Sequence, residues 1–436
     1  MRSAHKSRIS NITIQVTALT LFCIALITKV AVFDFRTLAL DEPFSLKHAQ
    51  ESWSYILELP FNDDPHPPLY YLLLHLWIKI VGLKSIASLK FFSILIHAIT
   101  AWSLFKIAHK HMSLTASAAA TILFIFADAQ FFFALDLRAY PLMTLLSLVS
   151  GFLTYELAQN PKKKKLWGFW ALASALLFYT HYFGLLLVFF QWLYIAFRAL
   201  NWRHAILLGL SFSLLSAPGL IAMARQFMVS HDDTWMSAPL WEQLWTTLYY
   251  NINGHQTTIT LGLILLGVIV FQLIRNSQFI KSAASFYLVS FLLVYLFMFV
   301  FSFWVPIFSL RYTVFLSPLL FLGVVGWIDA MPLPKLVVKG VLILVSFLQI
   351  IHHNPRETDL YYRDLDGAMA YYDDIKQKKN IPTLIYPYWF HHGFLFHLDR
   401  DLFSSNHEEH YSILNSKYNA HAFWSTEDYL DFLRRY

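Results

Sequence analysis

Apolar stretches separated by short clusters of Lys and Arg recur along the chain from residue 11 to residue 352. A run of about 20 mostly apolar residues is long enough to cross a bilayer as a helix. Of the 436 residues, 57% are hydrophobic and only 14% are charged, whereas soluble domains carry about 25% charged residues. The sequence therefore predicts an all-α polytopic membrane protein.

The basic clusters orient the chain, because Lys and Arg collect on the cytoplasmic side of short loops. The first apolar stretch, residues 11–33, is too long for a signal-peptide core and lacks a small-residue cleavage site, so we interpret it as a retained helix. Its Cys23 is the single cysteine, which excludes an intrachain disulfide and a Cys-based zinc motif. Because the basic residues follow topology, the net charge of +6 predicts no nucleic-acid partner.

With each cluster placed inside, the map has about eleven spans, a cytoplasmic amino terminus and an external carboxyl terminus. The clusters are Arg2/Lys6/Arg8, Lys106/Lys110, Lys162 to Lys165, Arg198/Arg203, Arg275/Lys281 and Lys335/Lys339. The spans after the first are predicted at 86–105, 113–134, 140–158, 166–181, 183–197, 205–224, 258–274, 283–304, 312–330 and 337–352.

The apolar segment 67–81 is too short for this map, since it covers roughly 22 Å of a hydrocarbon core of about 30 Å. We expect a juxtamembrane or re-entrant helix within the outer loop 34–85, with His75 and Lys79 on its wetter side. Residues 1–353 form the predicted transmembrane domain. Residues 354–436 are polar and mixed, and predict a small external α/β domain with a helix at 363–375, a strand at 383–388 and a helix at 429–436.

This topology brings the polar motifs to the outer face. Asp41 and Glu42 follow the first span, where a carboxylate can act as a general base towards an acceptor hydroxyl or amine. The alternative is a charge pair in the first turn of a helix. Asp63, Asp64 and His66 precede Pro67-Pro68, and offer oxygen and imidazole donors for a divalent metal ion. The alternative is a rigid turn that begins a helix.

Two arginines are candidate anion ligands. Asp136, Arg138 and Tyr140 occupy alternate positions, and would point the same way in an extended segment. Arg138 then binds phosphate, or alternatively pairs with Asp136 to close the loop. Arg311, beside Tyr312, either binds an anion or extends towards lipid phosphates. His181, beside Tyr182, is a further site candidate, or an anchor in the interfacial aromatic belt.

These motifs, in this order and on one side, resemble the C-type membrane glycosyltransferases of the protein O-mannosyltransferase and lipid A aminoarabinose transferase superfamily. The bacterial dolichyl-phosphate-mannose-protein mannosyltransferase-like branch is the most similar. The resemblance rests on Asp-Glu after the first span, Asp-x-His-Pro-Pro-Leu-Tyr-Tyr, an acidic-x-Arg-x-Tyr turn and a late Arg-Tyr, and it covers nearly the whole chain.

The resemblance implies a hexosyl- or pentosyltransferase that moves a sugar, with inversion, from a polyprenyl-phosphate donor to a glycan, lipid or protein acceptor outside a bacterial inner membrane. It makes Asp41 the catalytic carboxylate and Glu42 its partner. Arg138, Tyr140, Arg311 and Tyr312 would bind the donor phosphate. Contacts with the acceptor or with a metal ion would be made by the remaining candidates, Asp63, Asp64, His66, Asp136 and His181.

Two positions depart from that pattern. Asp136-Leu137 stands where many relatives have Glu-Ala, and His66 stands where the aminoarabinose branch has lysine. The second departure argues against a lipid A-type acceptor. A transporter or flippase of lipid-linked glycans, whose charges would line a pathway through the membrane, is the rival class. An O-antigen ligase or polymerase is a further alternative.

Overall fold

The computed structural model describes most of the chain, and the account below is confined to that part. Described are residues 2–32, 38, 41–61, 66–198, 202–229, 237–254, parts of 256–271, 282–354, 365–378, 382–386, 390–404, 410–423 and 425–435. This part is helical apart from two short strands.

Long apolar helices are interspersed with shorter ones along the chain. The α-helices are Arg2–Val32, Glu42–Gln50, Trp53–Glu58, Leu69–Val81, Ile86–His109, Leu114–Ile125, Asp128–Phe133, Tyr140–Gln159, Lys164–Thr180, Gly184–Arg198, Trp202–Val229, Trp241–Asn251, Ala283–Phe301, Leu310–Thr313, Ser317–Asp329, Lys335–Ile351, Leu365–Lys378, His391–Leu398, Arg400–Ser404, His410–Tyr418 and Thr426–Arg435. Single 3₁₀ turns cover Leu59–Phe61 and Val314–Leu316.

Six helical segments of the described chain are long and apolar enough to cross a membrane. They are Asn11–Ala31, Ile86–His109, Tyr140–Gln159, Trp202–Gln226, Ala283–Phe301 and Leu310–Asp329. Shorter apolar helices are Leu69–Val81, Leu114–Ile125 and Gly184–Arg198. The chain is thus an integral membrane protein with several candidate spans, while the number eleven and the inside–outside assignment remain predictions.

The span predicted at 113–134 is wrong in one respect, because the helix stops at Ile125 and a six-residue helix begins at Asp128. The break is stabilised by side chains from elsewhere. The fully buried Lys29 donates to the carbonyl of Ile125 (2.6 Å), and the Asn253 side chain bonds the Phe126 carbonyl and the Asp128 amide. These groups replace the intrahelical bonds that the break removes.

The short helix Leu69–Val81 is present as predicted and lies against Glu42–Gln50. One expectation for it was wrong: His75 is buried, and its Nδ1 lies 2.9 Å from the Ala49 carbonyl oxygen. Lys79 is exposed. His75 satisfies a backbone group at the end of the neighbouring helix, which explains why it turns inward.

Small residues let the bundle helices approach closely. A Cβ added to Gly323 would lie 2.6 Å from the Leu288 Cβ and 2.8 Å from its Cα. Only a residue without a side chain fits there, and such contacts are typical of helix packing in membranes. Ala283–Phe301 and Ser317–Asp329 therefore form a tight pair behind the site.

The carboxyl-terminal region contains a parallel pair of strands, Thr383–Ile385 and Ala420–Ala422, with Thr383 opposite Ala420. Its helices share one hydrophobic core with the outer loop, since Phe394, Leu395 and Phe403 cluster with Leu46 of Glu42–Gln50. Two polar contacts join the same parts: Lys47 Nζ donates to the Phe403 carbonyl (3.3 Å) and Arg400 to that of Lys84 (2.8 Å). The region thus packs against the elements that carry Asp41.

The predicted elements of this region differ from the observed ones at their ends. The helix predicted at 363–375 is described from Leu365 to Lys378, and the strand predicted at 383–388 has three described residues. The last helix begins at Thr426, three residues before the predicted start. The reason is a cap: the Ser425 hydroxyl accepts from the Asp428 amide (3.1 Å), which satisfies a free N–H of the first turn.

Candidate active site

Asp41 lies at the start of helix Glu42–Gln50. It occupies the N-cap position, but its side chain makes no capping hydrogen bond. Instead its Oδ2 lies 3.3 Å from Nη1 of Arg311 and 3.9 Å from Nη2 of Arg138. The side chain keeps 39% of its surface exposed. The carboxylate is therefore shared by two guanidinium groups and remains open to solvent or ligand.

The charge of Asp41 is set by its neighbours. Partial burial raises the pKa of this carboxyl, but the positive charges of Arg138 and Arg311 outweigh burial and hold the pKa below its ordinary value of 3.8. The hydrogen bond from Arg311 acts in the same direction. Asp41 is consequently ionised at neutral pH.

Arg138 is the buried centre of the site, with 6% of its surface exposed. Its Nη1 donates to the Ser45 hydroxyl (3.0 Å) and to the Asp41 carbonyl (3.5 Å), and its Nη2 lies 2.9 Å from Nε2 of His66. Burial lowers the pKa of Arg138, but the Asp41 carboxylate and other neighbouring groups together raise it by more, so that the pKa lies above its usual range. Because a guanidinium only donates, His66 accepts through Nε2.

Glu42 is engaged elsewhere, although it was predicted as the catalytic partner of Asp41. It is 3% exposed, its Oε2 lies 3.0 Å from Lys90 Nζ, and its Oε1 accepts from the amide of Leu137 (2.9 Å). These contacts join helix Glu42–Gln50 to helix Ile86–His109 and to the turn that carries Arg138. Glu42 thus links the segments that carry Asp41 and Arg138, and its catalytic role stays a prediction.

The segment with Asp136, Arg138 and Tyr140 is not extended as the prediction of a shared direction assumed, because the chain turns and bends at residues 134–139. The Ser93 hydroxyl donates to the Asp136 carbonyl (2.8 Å), and Glu42 holds the next amide. Burial and the Glu42 charge raise the pKa of Asp136 to about 8, against the opposing effect of Arg138. Asp136 therefore keeps its proton to a higher pH than an ordinary Asp carboxyl.

An aromatic wall completes the site. The centre of the Tyr312 ring lies 5.4 Å from that of His181 and 4.8 Å from that of Phe183. Tyr140 is buried, and its ring centre lies 6.4 Å from that of His181. Next to this wall is a pocket with about 280 Å³ of empty space, part of it open to solvent. Its lining residues are Ser45, His66, Pro67, Tyr70, Tyr71, Arg138, Ala139, Tyr140, Thr180 and His181.

The described part of this site suits an anion better than a metal ion. No group of three or more His, Cys, Asp or Glu side chains with metal-binding geometry occurs among the described residues. His66 points its Nε2 at the Arg138 guanidinium, and the Asp41 carboxylate already faces two cations. A divalent cation at either group would meet like charge. Asp63 and Asp64 lie outside the described residues.

Sequence reasoning missed two participants. Ser45, which receives a hydrogen bond from Arg138, is four residues after Asp41, and the i, i+4 spacing on a helix would have placed both on one face. Lys90 is a lone cation in an apolar span, a residue that ordinarily requires a buried partner. Its pairing with Glu42 joins positions that are 48 residues apart.

The arrangement of helices is similar to that of a membrane protein of known structure, ArnT. The structure is similar to the apo crystal structure of ArnT from Cupriavidus metallidurans, with TM-score 0.53, 13% sequence identity, and coverage of 78% of this chain and 62% of ArnT. ArnT is a lipid A aminoarabinose transferase.

The crystal structure of the same protein bound to undecaprenyl phosphate is also similar, with TM-score 0.50, 11% identity, and coverage of 78% and 70%. The chain thus spans less than two thirds of the first of these structures. No protein-family model and no curated protein matches the sequence. At this identity the likeness shows the fold, and the specific mannosyltransferase-like branch stays a prediction.

Proposed function

We propose that this protein is a glycosyltransferase that moves a sugar, with inversion, from a polyprenyl-phosphate donor to an acceptor outside the membrane. The observation that carries the proposal is one partly exposed carboxylate, Asp41, held between Arg138 and Arg311. The similarity of the fold to ArnT bound to undecaprenyl phosphate supports the choice of donor.

The two arginines are the proposed ligands of the donor phosphate. A phosphate has the same charge sign as the carboxylate that these groups now contact, and guanidinium can bind its oxygens in bidentate fashion. The bond that breaks joins the anomeric carbon to a phosphate oxygen, so negative charge grows on the leaving polyprenyl phosphate. Fixed positive charge at that position lowers the barrier.

Asp41 is the proposed general base. A bound phosphate would share the positive charge of Arg138 and Arg311, which now lowers the pKa of Asp41, and would thereby raise the proton affinity of the carboxylate. Asp41 then takes the proton of the acceptor hydroxyl or amine as that group attacks the anomeric carbon from the face opposite the phosphate. A single displacement inverts the centre, and requires no covalent enzyme intermediate.

The described charges favour an enzyme over a transporter. The buried cation of the first helix, Lys29, bonds the Ile125 carbonyl and lies 4.3 Å from the centre of the Phe131 ring. It therefore stabilises a helix break, and is not free to line a pathway. A transport protein carries its ionisable groups where substrate passes.

Replacing Asp41 with Asn tests the proposal. Purified protein in liposomes is supplied with labelled polyprenyl-phosphate sugars and with an envelope extract as the source of acceptor, and transfer is measured. Loss of a general base lowers the rate by about 10²- to 10⁴-fold. The matched control is Asp401→Asn, an exposed position that should keep the wild-type rate. Equal rates for both variants would remove Asp41 from the mechanism.

A further inference from the structure

The pocket next to Arg138 differs in character from the Asp41 pair. Arg138 borders both, since its Nη2 lies 3.9 Å from Asp41 and the residue also lines the pocket. Arg311 faces Asp41 and is not among the residues that line the pocket. A phosphate held between the arginines would therefore have this pocket at one side, and whatever is attached to the phosphate on that side would enter it.

The lining is polar and aromatic. Tyr70, Tyr71 and Tyr140 contribute rings and hydroxyl groups. The amide of Phe183 donates to Nδ1 of His181 (3.3 Å), so the neutral imidazole carries its proton on Nε2 and is a donor there. Rings that cover C–H faces, together with a few fixed polar groups, are the usual components of a small-molecule site.

The volume limits what can enter. The empty space of about 280 Å³ is partly open to solvent, so the pocket can take only a small group at its mouth. A polyprenyl chain there would leave the hydroxyl, imidazole and guanidinium groups without partners. We infer that this pocket binds the sugar ring of the donor, and that the sugar it accepts is neutral or acidic and carries no amino group. The inference rests on the proposed function.

Charge is the basis for excluding an amino sugar. Among the ten described lining residues, Arg138 is the side chain with a permanent charge, and that charge is positive. An imidazole carries no negative charge at any physiological pH, so His66 and His181 do not reverse the sign. A protonated amine in this space lies beside a guanidinium, and like charges brought together in a binding site reduce affinity.

Binding of donors, measured without acceptor, tests the inference. The full-length protein in nanodiscs competes for a fluorescent polyprenyl phosphate with four lipids of equal chain length: polyprenyl phosphate alone, and the same lipid with a neutral hexose, a hexuronic acid or an amino-deoxy pentose. A few additional neutral hydrogen bonds correspond to about tenfold tighter binding. We expect that gain for the hexose and the hexuronic acid, and none for the amino sugar.

Variants separate the pocket from the phosphate site. His181→Ala should abolish the gain from the sugar and leave the affinity for polyprenyl phosphate alone unchanged, which also shows that the variant is folded. Tyr71→Phe, at another lining position, provides the same test with a smaller change. The control His204→Ala, at an exposed position, should keep the gain.

Two results would overturn the inference alone. One is an amino-sugar donor that binds at least as tightly as the neutral one. The other is an equal loss of affinity, in both pocket variants, for lipid with and without sugar. Absence of any binding of polyprenyl phosphate would instead refute the proposed function, and the sugar pocket with it.

Discussion

At the scale of single residues, the Asp41 carboxylate and a donor phosphate would compete for the same two guanidinium groups. In the structure the Asp41 carboxylate occupies the guanidinium groups that the donor phosphate would require. In the proposed mechanism, binding of the donor would exchange one anion for another at the two arginines and leave Asp41 a stronger base. The base would then form only when the leaving group is in place.

Replacing either arginine with lysine should weaken use of the donor. Lysine keeps the charge of Arg138 or Arg311 but loses the planar, bidentate donor geometry. One charge-assisted hydrogen bond contributes about 1.5–3 kcal/mol, which corresponds to roughly ten- to hundredfold in affinity. Steady-state transfer with varied donor should show the loss in donor dependence, with acceptor dependence little changed.

The matched control is Arg198→Lys, at the far end of helix Gly184–Arg198. If both site variants behave like this control, the arginines interact only with lipid headgroups. The donor site would then have to lie elsewhere.

Because the pKa of Asp136 is raised in the folded protein, we expect the stability of the protein to depend on pH. This pKa is raised from 3.8 to about 8, so the folded state holds this proton more tightly than the unfolded state. The resulting stabilisation is complete below about pH 4, and is lost as the pH rises to about 8. Thermal unfolding in detergent should show a smaller decrease in Tm over this range for Asp136→Asn than for wild type.

The control for this pH dependence is Asp401→Asn, which should keep the wild-type slope. An Asp136→Asn variant whose Tm falls as steeply as that of wild type would show that another group titrates.

The sequence was sufficient to predict some residue contacts and insufficient for others. Topology by charge predicted that Asp41, Arg138 and Arg311 share one face, and the structure brings their side chains into contact. The engagement of Glu42 was out of reach, because its partners, Lys90 and the Leu137 amide, depend on how three separate segments pack. The bend at Asp136 was also out of reach, because it is held by Ser93 and Glu42, which are distant in sequence.

At the scale of secondary-structure elements, helix Glu42–Gln50 is the one whose position decides the geometry of the site. Glu42 joins it to two elements of the bundle, and Lys47 joins it to the carboxyl-terminal region. Both members of the Glu42–Lys90 pair are almost fully buried. Removal of one member leaves an uncompensated charge, and costs about 3–5 kcal/mol.

We therefore expect Lys90→Met and Glu42→Gln each to lower the free energy of unfolding by about that amount. The double variant Glu42→Gln/Lys90→Met should be less destabilised than the sum of the two, because no charge remains buried. Denaturant unfolding measures this coupling, with Lys79→Met on an exposed surface as the control. If Glu42 acts by positioning alone, the double variant should also recover part of the transfer rate; an inactive but stable double variant would give Glu42 a direct catalytic role.

Element boundaries show why a local pattern is insufficient. Hydropathy predicted one span at 113–134, and the residues around Phe126 contain no Pro or Gly that would indicate a break. The break is fixed by Lys29 and Asn253, which are distant in sequence. Conversely, the short helix after Pro67-Pro68 was predictable, because prolines at a helix start and the length of the apolar run act locally.

At the scale of the whole molecule, the central assumption is sidedness. Two exposed positions test it: Lys162, before helix Lys164–Thr180, and Ser416, in the carboxyl-terminal region. Single cysteines at these positions, in a Cys23→Ser background, should react differently with an impermeant maleimide on intact cells. We expect labelling at 416 and protection at 162, with both labelled after lysis; labelling of both before lysis would break the topology map and the grouping of the site on the outer face.

The most direct test of the proposed function is an analysis of the cell envelope. Mass spectrometry compares the glycans, lipids and proteins of cells with the wild-type chain, with Asp41→Asn at equal membrane abundance, and with neither. We expect a sugar-bearing species that is present only in cells with the wild-type chain. Unused polyprenyl-phosphate sugar should accumulate in the cells with Asp41→Asn and in the cells with neither chain. Wild-type amounts of that species in cells with Asp41→Asn, or no difference between cells with and without the protein, would contradict the account.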